Sequence, residues 1–412
     1  MSNHHSQRSS QQFELFASTA PGLESIAAGE LKALGVKGRQ EPGGVAFEGD
    51  IERVYLANLW LRTASRVILR LGRFHASTFY ELERRAKKLP WSNFLSDIGS
   101  VEVRVTCRKS RLYHSDAVAE RVLDAIREVS PGVSLTVGNE EAGEDTAESS
   151  KPTQLFVVRI VDDQCEISAD TSGELLHRRG YRKEVAKAPL RETLAAAMIL
   201  ASGWQKNEPL LDPMCGSGTI PIEAALLGRR IAPGLAREFQ FMNWKSFDRR
   251  LWEETVSRAR EAIIDRSLAI KAADRDAGAI EAATRNAERA GVTADIQFAE
   301  QPISASLSAL AEPERGDGWL LSNPPYGIRL DENSDLRNLY ATVGFALSQS
   351  RGWRIGVLTP DAGPARQLGL PLRSRFATQN GGIPVNFLVS EKAQATKVRP
   401  DKETTRTAIS EA

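Results

Sequence analysis

The sequence predicts an α/β protein: a mostly parallel, doubly wound sheet in the C-terminal half, preceded by a smaller α+β region. Two observations predict it. From Pro209 onward, short apolar runs alternate with helix-length segments, the rhythm of strand–helix–strand units. Before that point the opening segment 13–75 fits strand, helix, strand, helix and strand into too few residues for such a sheet. A chain of 412 residues holds ~2 or 3 domains, and 41% hydrophobic with 26% charged residues suits globular cores.

The elements follow in order. Residues 1–12 are polar and expected to be a disordered tail without an apolar signal segment. FELFAST, from Phe13, reads as a strand, and PGLESIAAGELKALG as an amphipathic helix closed by Gly35. GGVAFEGD is a second strand, IERVYLANLWLRTAS a second helix and RVILRLGRF a third strand. Shorter elements run to about Asp170. They are the strand VEVRVTC, a helix HSDAVAERVLDAIREV with Ser115 placed to cap it, and a hairpin LFVVRIVDDQCEISAD turning at Asp162-Asp163-Gln164. The acidic stretch NEEAGEDTAESSKP is expected to be a loop. PLLDPMC, AIKAADRD, ADIQFAE, GWLLSNPP, WRIGVLTP and PVNFLVS supply the later strands, with helices TIPIEAALLG and AGAIEAATRNAERAG between the first of them. Residues 393–412 form a charged tail.

Composition narrows the function. A formal net charge of +1 gives no argument for a nucleic-acid partner, so any such argument has to come from local clusters. Cys107, Cys165 and Cys215 lie far apart with no CxxC pair, which disfavours a zinc site and a disulfide framework. No metal and no membrane span are expected, and a reducing cytoplasmic setting fits. His75, His114 and His177 read as local hydrogen-bonders rather than catalysts.

In doubly wound sheets ligands bind beyond the carboxyl ends of the strands, and three strand ends here carry chemistry. In DPMCGSGT, Asp212 to Thr219, glycines at 216 and 218 let the backbone pass close to a ligand and the following helix offers free N–H groups. No lysine follows the second glycine, which disfavours a phosphate loop. An acid four residues before the first glycine suits S-adenosylmethionine, whose ammonium can meet a carboxylate. In AADRD, Asp274 is placed to hold ribose hydroxyls, with Arg275 beside it, and Asp276 is placed to cap the next helix. In SNPPYG, the double proline stiffens the turn so that the Asn323 amide oxygen and the Pro324 carbonyl can converge on both hydrogens of an exocyclic amine. Tyr326 offers a face for a base to stack on. Asn323, Pro324, Pro325 and Tyr326 are therefore the catalytic candidates. A methyl donor this reactive needs positioning more than acid–base help.

NPPY together with DPxCGSGT resembles the class I methyltransferases that modify exocyclic amines of bases. FASTAPGLE, GGVAFEGD, HRRGYR, APLRETLAAAMILASGW and the APGL…W insertion extend the likeness to the THUMP-containing ribosomal RNA guanine-N2-methyltransferases of bacteria, over about residues 13 to 390. That resemblance implies a ferredoxin-like region at 13–75, a THUMP domain at 76–172 and a Rossmann-like catalytic domain with its leading linker at 173–392. It implies methyl transfer from S-adenosylmethionine to a guanine of 23S rRNA. Asp212, Cys215, Gly216, Ser217, Gly218 and Asp274 fall on the family's donor positions, and Thr193 on a segment near the donor's methionine end. Relatives usually carry an acid after the third motif strand, whereas this chain reads FAEQPISAS and leaves Gln301 or Ser304 in its place. Some relatives continue into a second methyltransferase module; this chain stops at Ala412, so that activity is expected to be absent.

Two basic segments support an RNA partner. CRKSRLYH carries Arg108, Lys109 and Arg111 beside Tyr113, and HRRGYRKEVAK carries Arg178, Arg179 and Arg182 around Tyr181. Three rivals remain: a tRNA guanine-N2 methyltransferase, a DNA adenine-N6 methyltransferase, and an rRNA-binding assembly factor without catalysis.

Overall fold

The computed structural model describes residues 11–95, 99–138, 152–183, 190–308, 310, 317–325, 333–350 and 352–390. Most of the acidic stretch expected to be a loop, and both tails save residues 11 and 12, lie outside them.

The N-terminal half comprises β1 (Phe13–Thr19), α1 (Glu24–Ala33), β2 (Gly38–Glu41), β3 (Gly44–Gly49), α2 (Ile51–Trp60), β4 (Ala64–His75), α3 (Phe79–Ala86), β5 (Ser100–Arg108), α4 (Ser115–Val129), β6 (Ser134–Gly138), β7 (Thr153–Val161) and β8 (Gln164–Asp170). Its strands form one eight-stranded sheet in the order β2-β3-β1-β4-β8-β7-β5-β6. The two small regions expected at 13–75 and 76–172 thus share a sheet. β4 pairs with β1 on one side and with β8 on the other, from Ile68 opposite Asp170 to His75 opposite Gln164. The β7–β8 turn is the tight one its acids suggest, since Asp162 and Asp163 both adopt positive φ, 50° and 61°. Ser115 differs from expectation: it is the first helical residue of α4, and His114 occupies the cap position without a side-chain hydrogen bond.

The C-terminal half comprises α5 (Glu192–Ser202), β9 (Leu210–Asp212), α6 (Thr219–Gly228), α7 (Arg249–Glu261), β10 (Ile270–Asp274), α8 (Ala277–Ala290), β11 (Ile296–Glu300), α9 (Ile303–Ser308), β12 (Gly318–Ser322), α10 (Asn333–Gln349), β13 (Trp353–Thr359), α11 (Ala362–Ala365), β14 (Leu372–Asn380) and β15 (Ile383–Ser390). The sheet order is β11-β10-β9-β12-β13-β15-β14. Its first five strands are parallel neighbours, and β15 runs antiparallel to both β13 and β14. β14 escaped the periodicity reading because it is an edge strand that buries only Phe376 and Thr378, so LRSRFATQN reads as polar.

The halves exchange parts. The segment between α6 and α7 leaves the catalytic sheet and places Phe239, Phe241 and Trp244 in the N-terminal core. There Phe241 lies 4.7 Å from Tyr55 and Trp244 lies 4.8 Å from Phe94, ring centre to ring centre. Backbone bonds secure it: Gly234 N donates to Leu59 O at 3.0 Å and Phe241 N to Thr171 O at 3.1 Å. In return Leu23, just before α1, is buried in the catalytic core. The APGL…W insertion is therefore the strap that joins the two halves.

The second basic segment lies under this junction, which overturns part of its expected role. Arg179 is 4% exposed, donates to the carbonyls of Leu176 and Arg62, and lies 3.5 Å from the fully buried Glu223 of α6. Tyr181 is buried too, and its hydroxyl donates to Glu223 Oε1 at 3.1 Å. Arg182 pairs with the buried Glu192 at 3.0 Å. Burial holds His177 down at about 3, with neighbouring arginines adding to the effect, so it is a neutral interior residue. Arg179 and Arg182 are structural ties and do not face a phosphate backbone; Arg178, half-buried and 3.8 Å from Glu174, is the most exposed of that trio.

Candidate active site

The three motif-bearing strands β10, β9 and β12 lie side by side, so their carboxyl ends form one continuous rim. Asp212 ends β9 and is buried. Its Oδ1 accepts from Ser322 Oγ at 2.9 Å and from Met214 N at 3.3 Å. Ser322 is the last residue of β12, so this bond ties the first motif to the third. No local pattern announces it, because register between β9 and β12 decides which side chains meet.

The loop Met214–Gly218 is shaped by its glycines. Gly216 and Gly218 have φ of 50° and 83°, a region L residues enter with difficulty. A Cβ on Gly218 would also sit 3.0 Å from that of Ala283 in α8. Gly216 N donates to Asp274 Oδ2 at 2.9 Å, joining the first motif to the second. Asp276 N donates to the other Asp274 oxygen at 3.1 Å. Each oxygen keeps a second lone pair for a hydroxyl. Asp276 caps α8 as expected, accepting from Gly278 N and Ala279 N. Asn286, also on α8, donates to Ser217 O at 3.1 Å and was missed in the sequence. Its signal was present: Ala283, Asn286 and Ala287 fall on one helical stripe, and all three are buried.

The remaining candidates are spread around this centre. Arg275 is exposed. Gln301 follows β11, its backbone N–H donating to Asp274 O at 2.9 Å and its side-chain amide to Ser306 Oγ at 3.0 Å. Thr193 is buried in the first turn of α5. Cys215 is buried, and burial with the nearby Asp212 and Asp274 charges pushes its thiol well up, so it is no nucleophile. Arg108, at the end of β5, and Lys109, Arg111 and Tyr113, between β5 and α4 of the N-terminal half, are all exposed.

Asn323 follows β12 directly. Its Oδ1 is buried and has no hydrogen-bond partner among the described residues. An orphaned buried acceptor costs about 1–3 kcal/mol, so a partner is expected to arrive with a ligand. Pro324 is buried and Pro325 exposed, while Tyr326 lies outside the described residues.

Burial pushes the Asp212 carboxyl up to about 7, and Asp274 adds to the rise against the Ser322 and Met214 hydrogen bonds. The folded chain thus holds a proton that the unfolded chain releases near the ordinary 3.8. Stability from this group is full below that ordinary value and is lost as pH rises through about 7. Without donor, Asp212→Asn is expected to gain more urea resistance over wild type at pH ~8 than at pH ~4. An equal difference at both values would refute the assignment.

Comparison with known proteins matches residues 179–380 to the RMKL-like methyltransferase domain, 14–68 to the RlmL ferredoxin-like domain and 76–170 to the THUMP domain. The putative RNA methyltransferase YpsC of Bacillus subtilis is 33% identical over 399 residues, covering 97% of this chain and all of that one. The ribosomal RNA large subunit methyltransferase K/L of Magnetococcus marinus is 35% identical over 405 residues, covering 94% of this chain and 55% of that protein. The chain spans about half the length of such K/L relatives. Among solved structures, the putative methyltransferase SMU.472 complexed with SAH is 30% identical with a TM-score of 0.80, covering 94% of this chain and 100% of that one.

Proposed function

The chain belongs to the THUMP-containing RNA methyltransferases with an RMKL-like catalytic domain, and we propose that it methylates the exocyclic N2 amine of a guanine in 23S rRNA, using S-adenosylmethionine. The observation that carries this reading is the buried Asn323 Oδ1 just past β12, which has no partner among the described residues. It sits one residue from Ser322, which binds Asp212.

The rim residues fit the donor. Asp212 and Asp274 flank a glycine loop: Asp274 offers acceptors for ribose hydroxyls, and Asp212, partly protonated by burial near neutral pH, ionises as it meets an ammonium. When bound, S-adenosylmethionine supplies an electrophilic methyl group. The protein's part is to place the amine. Asn323 Oδ1 accepts one amine hydrogen, which turns the nitrogen lone pair out of conjugation with the base. The interaction strengthens as the nitrogen gains positive character, so it favours the transition state over the ground state. The proton lost afterwards comes from an already cationic amine and needs no strong base.

The THUMP match favours RNA over DNA, and the names of the K/L relatives favour ribosomal over transfer RNA. A substrate of that kind supports a cytoplasmic setting, which its three free cysteines suit. Among the described residues no helix is long and apolar enough to cross a membrane.

The test uses labelled donor with separate 23S rRNA, tRNA and DNA substrates, followed by nucleoside mapping. N2-methylguanosine in 23S rRNA is expected. Label in tRNA or on adenine overturns the substrate, and no label together with no donor binding in calorimetry overturns the enzyme.

A further inference from the structure

With Arg179 and Arg182 buried in the junction, the exposed cations available to RNA are fewer than the sequence suggests. The structure gathers others elsewhere. Lys206 lies in the connection from α5 to β9, Arg230 just past the end of α6, and Arg266 in the connection from α7 to β10. Backbone bonds bring these connections together. Ile264 N donates to Arg229 O at 2.8 Å, and Arg229 Nε returns a bond to Ile264 O at 2.7 Å. Leu210 N donates to Ala269 O at 2.9 Å, fixing the strand after Lys206 to the same connection. Arg62 of the N-terminal half lies beneath, donating to Ile231 O at 2.6 Å, and its Nη1 is buried without a partner.

The charges feel one another. Lys206 is held below the ordinary lysine value by partial burial, then by Arg266, Arg62 and Arg230. The acids nearby do not relieve this, because Asp295 and Asp265 pair with Arg229, at 3.1 and 3.7 Å. Among the described residues Lys206, Arg230 and Arg266 have no ion pair. The carboxyl end of α6 accounts for a cation at its own terminus, but not for Lys206 and Arg266. Arg230 also sits at φ 54°, a conformation unfavourable for a residue with a Cβ, which turns it out at the helix end. An uncompensated cluster of like charge is unfavourable alone and is relieved by an anion.

We infer that Lys206, Arg230 and Arg266 form a contact for the RNA phosphate backbone at the amino-terminal edge of the catalytic sheet. This deepens the RNA-methyltransferase reading and rests on it. The motif rim is at the opposite edge, separated by strands of five residues such as β10 and β12, about 17 Å of extended chain. An RNA that touches both edges has to extend past the target nucleotide by more than that thickness. A folded rRNA fragment meets that requirement.

The experiment compares the full-length protein with its Lys206→Gln/Arg230→Gln/Arg266→Gln variant, using a folded 23S rRNA fragment as probe. RNA affinity is measured across a salt series. The variant is expected to bind about tenfold or more weakly at low salt, with a log–log salt slope shallower by about 2–3. SAH affinity should match wild type and the thermal midpoint should not fall, and removal of the like-charge repulsion favours a small rise, which shows that fold and donor site are intact. An unchanged salt slope overturns the contact. Methyl incorporation into the same fragment by the wild-type protein judges the catalytic reading separately.

Discussion

Asn323→Ala is expected to fold, to bind donor and RNA as the wild-type protein does, and to transfer methyl groups about a hundredfold more slowly or worse in single turnover. The magnitude is that of removing one preorganised hydrogen-bonding group from an active site. The reason lies in the geometry. Asn323 Oδ1 is already buried and unpartnered among the described residues, so truncation removes an unfavourable group from the resting protein and costs it no bond through that oxygen there. Its loss is felt only when the amine becomes a nucleophile, which is why the single-turnover rate is the informative measurement. Asn323→Asp is milder, since a carboxylate still accepts the amine hydrogens. That carboxylate would occupy the buried position of Asn323 Oδ1, where burial raises its proton affinity. Activity of the Asp variant should therefore rise with pH as the new group ionises. Wild-type transfer rates in Asn323→Ala would reduce SNPPYG to a turn and remove the catalytic assignment.

Arg179→Met should destabilise the protein by about 3–5 kcal/mol, the scale for breaking a buried ion pair from one side. Arg179 and Glu223 are 4% and 0% exposed and lie 3.5 Å apart. Removing the guanidinium takes away the nearest cation of the buried Glu223, leaving it the Tyr181 hydroxyl and the more remote charge of Arg62, and it frees the Leu176 and Arg62 carbonyls. The double variant Arg179→Met/Glu223→Gln should recover much of the loss, because the stranded charge is gone as well. Arg178→Gln, one residue away but only half-buried, should leave stability unchanged. The urea midpoint reports all three. If Arg179→Met unfolds at the wild-type midpoint, this segment is not the tie between the halves.

The local features of the fold were legible because they depend on neighbours in sequence. Period and turn chemistry place the strands that end at Asp212, Asp274 and Ser322, and the paired acids turn the β7–β8 hairpin with positive φ at both. Asp276 caps α8 as its position before an alanine-rich segment suggests. Elements that bury little, such as the edge strand β14, gave too weak a pattern to read. The arginines of HRRGYR misled for a related reason. A basic segment has the same composition whether it meets phosphate or a buried carboxylate.

By itself, then, the sequence determined the three strand-end motifs, their order and the residue types they present, because these follow from local dihedral preference and hydrophobic period. The tertiary structure alone decided which of those residues meet. Ser322 reaches Asp212 across 110 positions of chain, and Gly216 reaches Asp274 across 58. It likewise decided that one sheet runs through both N-terminal regions, and that Arg179 points inward to Glu223 while Lys206, Arg230 and Arg266 gather outside. Strand register and the burial of charge are set by partners remote in sequence, and no local pattern records them.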